Sequence, residues 1–409
     1  MSLIITRDVA AAKQRVLSIV ARLGLSRHFL ECDPKTMSLS RLLAQLPLCG
    51  KSELAAHGRD AIEEQLEKAL LFSETSGTTS APLNTPRGTV DLKWNTLNQV
   101  FAYKRHLQPG VDHVAILHPG VLSPFVEASA RALQELGVGY ARVYPIPHVC
   151  EYERIYGVLD RYRITTIMST PTLVYKLLYE LKAVGNGVLP RSLKKLLLTG
   201  EHFSQVSAFN LGRMLGPEGR AVPFVYGSSE AATLMVGMED GTYRAIPEDF
   251  IFEIVPTDAV PTDTQPDRLS GRLVVTWLRE GLLPILRYDT NDLFTVEKDV
   301  ATGDYVFHFE GRTTPYVLDA RQKDAIERTV YGFAFPVFHY ECLAQQNRRE
   351  IMVTIVTSPS DAPASLGDAA EHLARQLGDN WSVTFAVNPP DSRFYEFSPT
   401  PKTNRYRTN

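Results

Sequence analysis

Ile164-Thr-Thr-Ile-Met-Ser-Thr-Pro-Thr-Leu-Val-Tyr-Lys-Leu-Leu-Tyr-Glu-Leu181 is the stretch on which the fold turns. Ile164–Met168 is a short apolar run of strand character, and Leu173–Leu181 repeats its apolar positions at helical spacing. The same unit recurs on either side. His113–His118 is an expected strand before a helix over Phe125–Leu136, and Tyr140–Tyr144 is a strand before a helix over Glu151–Tyr162. Lys195–Thr199, Val206–Leu215 and Val222–Tyr226 continue the series as strand, helix and strand. Strands alternating with helices of this length predict βαβ units and a parallel sheet buried on both faces.

N-terminal to this series the chain reads as helical, over Val9–Leu25, a short piece within Ser38–Leu48 stopped by Pro47, and Ala61–Leu71. C-terminal to residue 230 the helices drop out. Phe250–Val255, Arg272–Trp277, Leu293–Glu297 and Tyr305–Phe309 are joined by Gly-, Pro- and Asp-rich turns and predict a small antiparallel β region. From Arg312 onward a strand at Ile351–Thr357 and a helix at Asp368–Leu377 read as a separate small α+β domain. The expected fold class is therefore α/β, with a large domain over 1–311, a small C-terminal domain over 312–409, and a hinge near 311–315.

The 409 residues carry 43 Lys+Arg against 46 Asp+Glu, a net charge of −3. That balance argues against nucleic acid or an anionic membrane as the main partner, both of which select basic surfaces. The four cysteines, Cys32, Cys49, Cys150 and Cys342, show no C-x-x-C spacing, so neither a zinc ribbon nor a redox pair is expected. They read as small buried hydrophobes in a reducing, cytoplasmic setting. No apolar run is long enough to span a membrane, and Arg7, Asp8, Lys13 and Arg15 make the N-terminal segment an amphipathic helix rather than a secretory signal.

Four segments carry chemistry. Glu74-Thr-Ser-Gly-Thr-Thr-Ser-Ala-Pro-Leu83 packs hydroxyls around Gly77, a donor-rich set suited to a polyphosphate, although it is not a Walker A loop and a surface loop would have the same composition. Phe224-Val-Tyr-Gly-Ser-Ser-Glu-Ala-Ala232 places an aromatic and a carboxylate at the end of an expected sheet strand, where open α/β sheets bind ligands. Tyr226 there could stack a base and Glu230 hold Mg²⁺, or the segment could be a turn with a solvated Glu. Leu283-Pro-Ile-Leu-Arg-Tyr-Asp-Thr-Asn-Asp-Leu293 offers carboxylates for ribose hydroxyls, with Asn291 suited to a left-handed backbone; a plain turn is the alternative. The basic tail, Phe397 to Arg407, is stiffened by two prolines but could equally be a solvated end.

In order, T-S-G-T-T-x-x-P, T-G-E, Y-G-S-S-E, R-Y-x-T-x-D, G-R and a near-terminal K-x-x-R resemble the acyl-adenylate-forming superfamily of acyl-CoA synthetases, adenylation domains and luciferases. Ser38–Leu54, Thr165–Thr172, Glu248–Ile254 and Gly271–Leu278 are similar to its phenylacetate–CoA ligase-like branch, which includes aryl-acid activators of phenazine-type antibiotic biosynthesis. The resemblance implies activation of a carboxylic acid, an aromatic one in this branch, as acyl-AMP with release of pyrophosphate, using ATP and Mg²⁺. Transfer to CoA would follow; a carrier protein, another protein acceptor or a partner reductase is the alternative, as is a nucleotide-binding relative without turnover. A homodimer is compatible with the branch.

By the same resemblance Thr75, Ser76, Gly77, Thr78 and Thr79 would hold the β- and γ-phosphates. Tyr226, Gly227, Ser228 and Ser229 would meet the adenine, and Glu230 the Mg²⁺. Asp292 and Arg312 would bind the ribose, and Gly200 and Glu201 would lie beside adenine and acyl pocket. Lys402 would contact the substrate carboxylate and α-phosphate. Phe125, Thr170, Pro171, Thr172 and Phe203 are expected pocket walls. The sequence departs from the family pattern at Ser80, Asn291, Thr313-Thr314-Pro315 and Pro401.

Overall fold

The computed structural model describes residues 2–29, 33–74, 83–118, 124–146, 148–201, 204–246, 249–257, 268–312, 318, 320–345, 348–358, 365–378, 380–388 and 405–408. The N-terminal part runs β1 (Leu3–Ile5), α1 (Val9–Arg22), α2 (Leu39–Gln45), α3 (Lys51–Gln65) and α4 (Thr89–His106). Asp8 caps α1 and Ser38 caps α2 through their side-chain oxygens, as short polar residues ahead of an apolar-periodic stretch should. The expected helix over Ala61–Leu71 lies earlier in the chain. The amides of Leu70 and Leu71 are committed instead to the carbonyl of Arg87, which pulls that segment out of helical register.

The central series is as predicted: β2 (His113–Ile116), α5 (Pro124–Leu136), β3 (Gly139–Arg142), α6 (Tyr152–Arg161), β4 (Thr166–Ser169), α7 (Pro171–Val184), β5 (Lys195–Leu198), α8 (Gln205–Leu215) and β6 (Arg220–Pro223). These strands form a parallel five-stranded sheet in the order β3-β2-β4-β5-β6. Strands β2, β4, β5 and β6 are almost wholly buried, as helices on both faces require, while the edge strand β3 is partly exposed.

Two expectations are corrected. The strand read over Val222–Tyr226 is two strands, which part at Phe224: its amide still bonds Leu198 of β5, at 2.7 Å, while its carbonyl accepts from the amide of Gly237. After Phe224 the chain enters β7 (Val225–Ser228), which pairs antiparallel with β8 (Ala232–Gly237) in another sheet. That sheet is not small. With β9 (Tyr243–Ala245), β10 (Phe250–Val255), β11 (Arg268–Trp277), β12 (Tyr288–Lys298) and β13 (Tyr305–Arg312) it has eight strands in the order β1-β10-β11-β12-β13-β9-β8-β7. It also recruits β1 from a region read as helical, with Leu3 opposite Ile254.

The C-terminal part consists of α9 (Ala320–Tyr331), β14 (His339–Gln345), β15 (Glu350–Val356), α10 (Gly367–Leu377), β16 (Ser382–Asn388) and β17 (Tyr406–Thr408), with a four-stranded sheet ordered β16-β15-β14-β17. It shares one apolar core with α7 and α8: Tyr175 and Tyr331 stack at 5.4 Å, and Asn210 donates to the carbonyl of Val337 at 3.1 Å. No described helix is long and apolar enough to cross a membrane.

A buried ion pair fixes the start of β12. Arg287, in the left-handed region at φ +49°, donates to both oxygens of Glu253 on β10 at 2.9 and 3.0 Å and to the carbonyl of Leu46. Removing one partner strands the other charge in the interior. Glu253→Ala should therefore lower unfolding stability by about 3–5 kcal/mol, measured by urea denaturation. A loss of under about 1 kcal/mol would mean that the pair is solvated, as exposed pairs are.

Candidate active site

The segment from Tyr226 to Ala232 links β7 to β8 and is over-determined by its neighbours. Gly227 is required: a Cβ there would sit 2.1 Å from the carbonyl oxygen of Ala232. Ala232 itself is left-handed at φ +60°. The Ser228 hydroxyl accepts the amide of Ala231 at 3.0 Å, closing the turn. Arg87 donates to the carbonyls of Ser229 and Glu230, the latter at 2.8 Å, and the Trp277 indole N–H donates to the carbonyl of Ala231 at 3.1 Å. Helix α4 holds the next residue, with Asn95 accepting from the amide of Thr233 and Asn98 donating to its carbonyl.

Glu230 is buried, and among the described residues the hydrogen bond to its carboxylate comes from the Tyr288 hydroxyl at 3.3 Å. One buried carboxylate with oxygen lone pairs to spare fits a single protein ligand of a hard cation that takes its other ligands from phosphates and water. No cluster of three His, Cys, Asp or Glu side chains able to hold a metal occurs among the described residues.

The second knot is Asp292. Tyr226 donates to its Oδ2 at 2.7 Å, and Arg312, opposite it across the β12–β13 pair, donates to its Oδ1 at 2.9 Å. Burial and the Asp292 charge push the Tyr226 phenol well above its ordinary value, so it remains a donor. Burial, with Glu230, acts in the same direction on Tyr288. Asn291 is left-handed at φ +59°, as expected from its place in the motif, with its amide capped by Asp289. The segment is strand rather than plain turn. The backbone of Cys49 is bonded on both sides of Tyr288, to the carbonyl of Arg287 and the amide of Asp289. Burial raises the Cys49 thiol to about 12, so it is an inert hydrophobe as read.

The third group lies past β5. Gly200 is left-handed at φ +87°, and Glu201 accepts from both the amide and the hydroxyl of Thr172, at 3.0 and 2.7 Å. Thr170 and Pro171 are both buried, and the Thr170 hydroxyl caps α7 by accepting from the amide of Leu173. Phe125 is partly buried in an aromatic cluster with His118 and Phe224, at 5.5 and 6.5 Å. Thr75, Ser76, Gly77, Thr78, Thr79, Phe203 and Lys402 lie outside the described residues. Their flanks are described: Glu74 bridges to Asn84, Ser73 bonds Thr85, and Arg405, three residues after Lys402, pairs with Glu327 at 3.7 Å and feels the charge of Glu201.

A five-stranded parallel sheet, an eight-stranded antiparallel sheet and a C-terminal α+β unit form the architecture of the acyl-adenylate-forming enzymes, and the chain has that fold. No family model matches it, and no curated protein matches its sequence. Among solved structures it is similar to 2-hydroxyisobutyryl-CoA ligase in the post-adenylation state with R3-HIB-AMP, at TM-score 0.77 and 15% identity over 98% of this chain and 88% of that one. The same ligase in the thioesterification state, with 2-HIB-AMP and CoA, gives 0.60 at 16% identity over 99% and 91%. The acyl acid amido synthetase AtGH3.15 with 2,4-DB gives 0.67 at 12% identity over 99% and 92%. The anthranilate CoA ligase AuaEII with anthranoyl-AMP gives 0.53 at 14% identity over 78% and 63%.

Sequence reading missed Tyr288, Arg87, Trp277 and Asp91. Tyr288 could have been found, as it lies inside the R-Y-D-T-N-D motif. Trp277 lies within the Gly271–Leu278 stretch, whereas Arg87 and Asp91 lie outside any motif and are brought to it only by folding. Behind Trp277, Arg279 stacks at 3.8 Å with none of its nitrogens hydrogen-bonded among the described residues, and burial lowers it to about 10. Burial raises the carboxyl of nearby Asp249 to about 6, against the pull of Arg279. Folded protein thus holds that proton more tightly than unfolded protein, and the associated stability is lost as pH rises from about 4 through about 6. Asp249→Asn should remove this dependence, so its stability relative to wild type rises between pH 4 and pH 7 in urea titrations. A difference constant across that range would mean that Asp249 titrates as an ordinary carboxylate.

Proposed function

We propose that this protein is an ATP-dependent carboxylate-activating enzyme that forms an acyl-adenylate and then passes the acyl group to a thiol, CoA being the expected acceptor. The observation that carries the reading is the convergence of Tyr226, Asp292 and Arg312 at one carboxylate, with Glu230 and Tyr288 beside it. These residues come from the three ordered motifs that the family uses for adenine, ribose and metal.

In this reading a carboxylate oxygen of the acid bonds to the α-phosphorus of ATP, and the α–β bridging bond breaks with its electron pair leaving on pyrophosphate. The nucleophile is already ionised, so no general base is needed, and the protein's work is positioning and charge stabilisation. Asp292, braced by Tyr226 and Arg312, accepts from the ribose hydroxyls, and Tyr226 offers its ring to adenine. Glu230 would hold Mg²⁺, which supplies positive charge against the phosphate oxygens. Thr75 to Thr79 meet the β- and γ-phosphates, and Lys402 the reacting carboxylate and α-phosphate.

The division at 311–312 belongs to the same proposal, with residues 312–409 as a lid carrying Lys402. Gly311, at φ +119° with open space around it, suits a pivot. The stronger likeness to a post-adenylation than to a thioesterification state, at slightly lower coverage, supports a lid set for the first half-reaction. The phenylacetate–CoA ligase-like motifs and the match to an anthranilate ligase support an aromatic acid.

Purified protein with Mg²⁺, ATP and a panel of aryl and alkyl acids should catalyse acid-dependent exchange of labelled pyrophosphate into ATP; no exchange with any acid would end the proposal. Lys402→Ala should lower exchange by about 100-fold while ATP binding by calorimetry is retained. Tyr226→Phe should raise the KM for ATP about tenfold, equivalent to ~1.4 kcal/mol, with kcat little changed.

A further inference from the structure

We propose that Arg87 and Trp277 are positioning residues for Glu230, acting through the backbone of residues 229–231. The inference deepens the adenylation reading and rests on it. Three consecutive carbonyls, those of Ser229, Glu230 and Ala231, are bonded by side chains rather than by a strand. The β7–β8 ladder ends at the Ser228–Ala232 pair, so these groups have no ladder partners. Buried carbonyls must find donors, and a single buried guanidinium and one indole supply all three.

The brace is itself built into the core. Arg87 is 3% exposed and lies 5.1 Å from the Trp277 ring centroid, while Arg279 covers the same ring at 3.8 Å. Trp277 is thus the centre of a stack of two buried cations. Asp91, 1% exposed, supplies the nearest balancing charge, but its Oδ2 is occupied by the amides of Gly88 and Leu282. The hydrogen bonds that the Arg87 guanidinium makes among the described residues go to the turn carbonyls. Burying a cation to hold two neutral oxygens is costly for packing alone. It is well suited to fixing a turn whose next side chain must present a carboxylate in one direction. Left-handed Ala232 resists that geometry, and the Arg87–Trp277 brace holds it.

The test compares wild type with Trp277→Phe, Arg87→Lys, Arg87→Met and a core control away from the site, Val16→Ala on α1. Each is assayed for pyrophosphate exchange across a Mg²⁺ titration and, independently of turnover, for ATP binding by calorimetry with and without Mg²⁺. Trp277→Phe and Arg87→Met should lower kcat and weaken Mg²⁺-dependent ATP binding by about 10- to 100-fold, as loss of support behind a metal ligand does, with the KM for the acid unchanged. Arg87→Lys should recover part of the loss. Val16→Ala should lower the unfolding midpoint without moving either readout. Brace variants that lose stability but match wild type in kcat and Mg²⁺ dependence would overturn the inference and leave adenylation intact. A wild type without exchange would overturn the functional reading, and the binding arm would still decide whether the brace supports a Mg²⁺–ATP site.

Discussion

The hydrogen bond from Tyr226 to Asp292 joins two strands that are far apart in their sheet. Between β7 and β12 lie β8, β9 and β13, so in a flat sheet the two would be roughly 19 Å apart at the usual strand spacing. Contact at 2.7 Å, with the Tyr226 ring edge-on to Phe294 at 4.9 Å, requires the sheet to curl until its edge returns over its own face. The site depends on that curvature. Register shifts in the β7–β8, β11–β12 and β12–β13 pairs locally bend the strands that carry the motifs.

How legible this was in the sequence depended on what each residue answers to. The parallel sheet was plain because its central strands β2, β4 and β5 are buried on both faces, so periodicity and composition pointed one way. Asn291 was also plain, since few side chains tolerate a left-handed backbone and its place between two carboxylates named the turn. The break at Pro223 was not, because Val222–Tyr226 is uniformly apolar and nothing local says that its two halves join different sheets. Nor was β1, whose three residues acquire a meaning only when Ile254 lies opposite.

The clearest failure of local reading is α4. Asp91, Asn95, Asn98 and Gln99 would ordinarily mark a solvent face, yet all four are buried. They bond backbone groups that irregular geometry leaves unpaired: the amides of Gly88 and Leu282, both polar groups of Thr233, and the carbonyl of Phe125. Polarity here measures unpaired backbone nearby rather than water, which a one-dimensional pattern cannot distinguish. The near-neutral overall charge acquires a similar local meaning, since two of the cations near the site, Arg87 and Arg279, are enclosed beneath it and contribute little to the surface field.

The shared core between α7, α8 and the C-terminal unit has a thermal consequence. Any motion that lifts the four-stranded sheet away must wet the faces of Tyr175, Tyr331 and Phe338, all now dry, together with the carbonyl of Val337 that Asn210 caps. Exposing aromatic and aliphatic surface carries a positive heat-capacity change, so the balance between docked and lifted forms would bend with temperature instead of following a straight van't Hoff line. The same oily seam would couple the pace of such a motion to solvent additives that strengthen or weaken apolar contact, making this interface sensitive to the composition of the surrounding water.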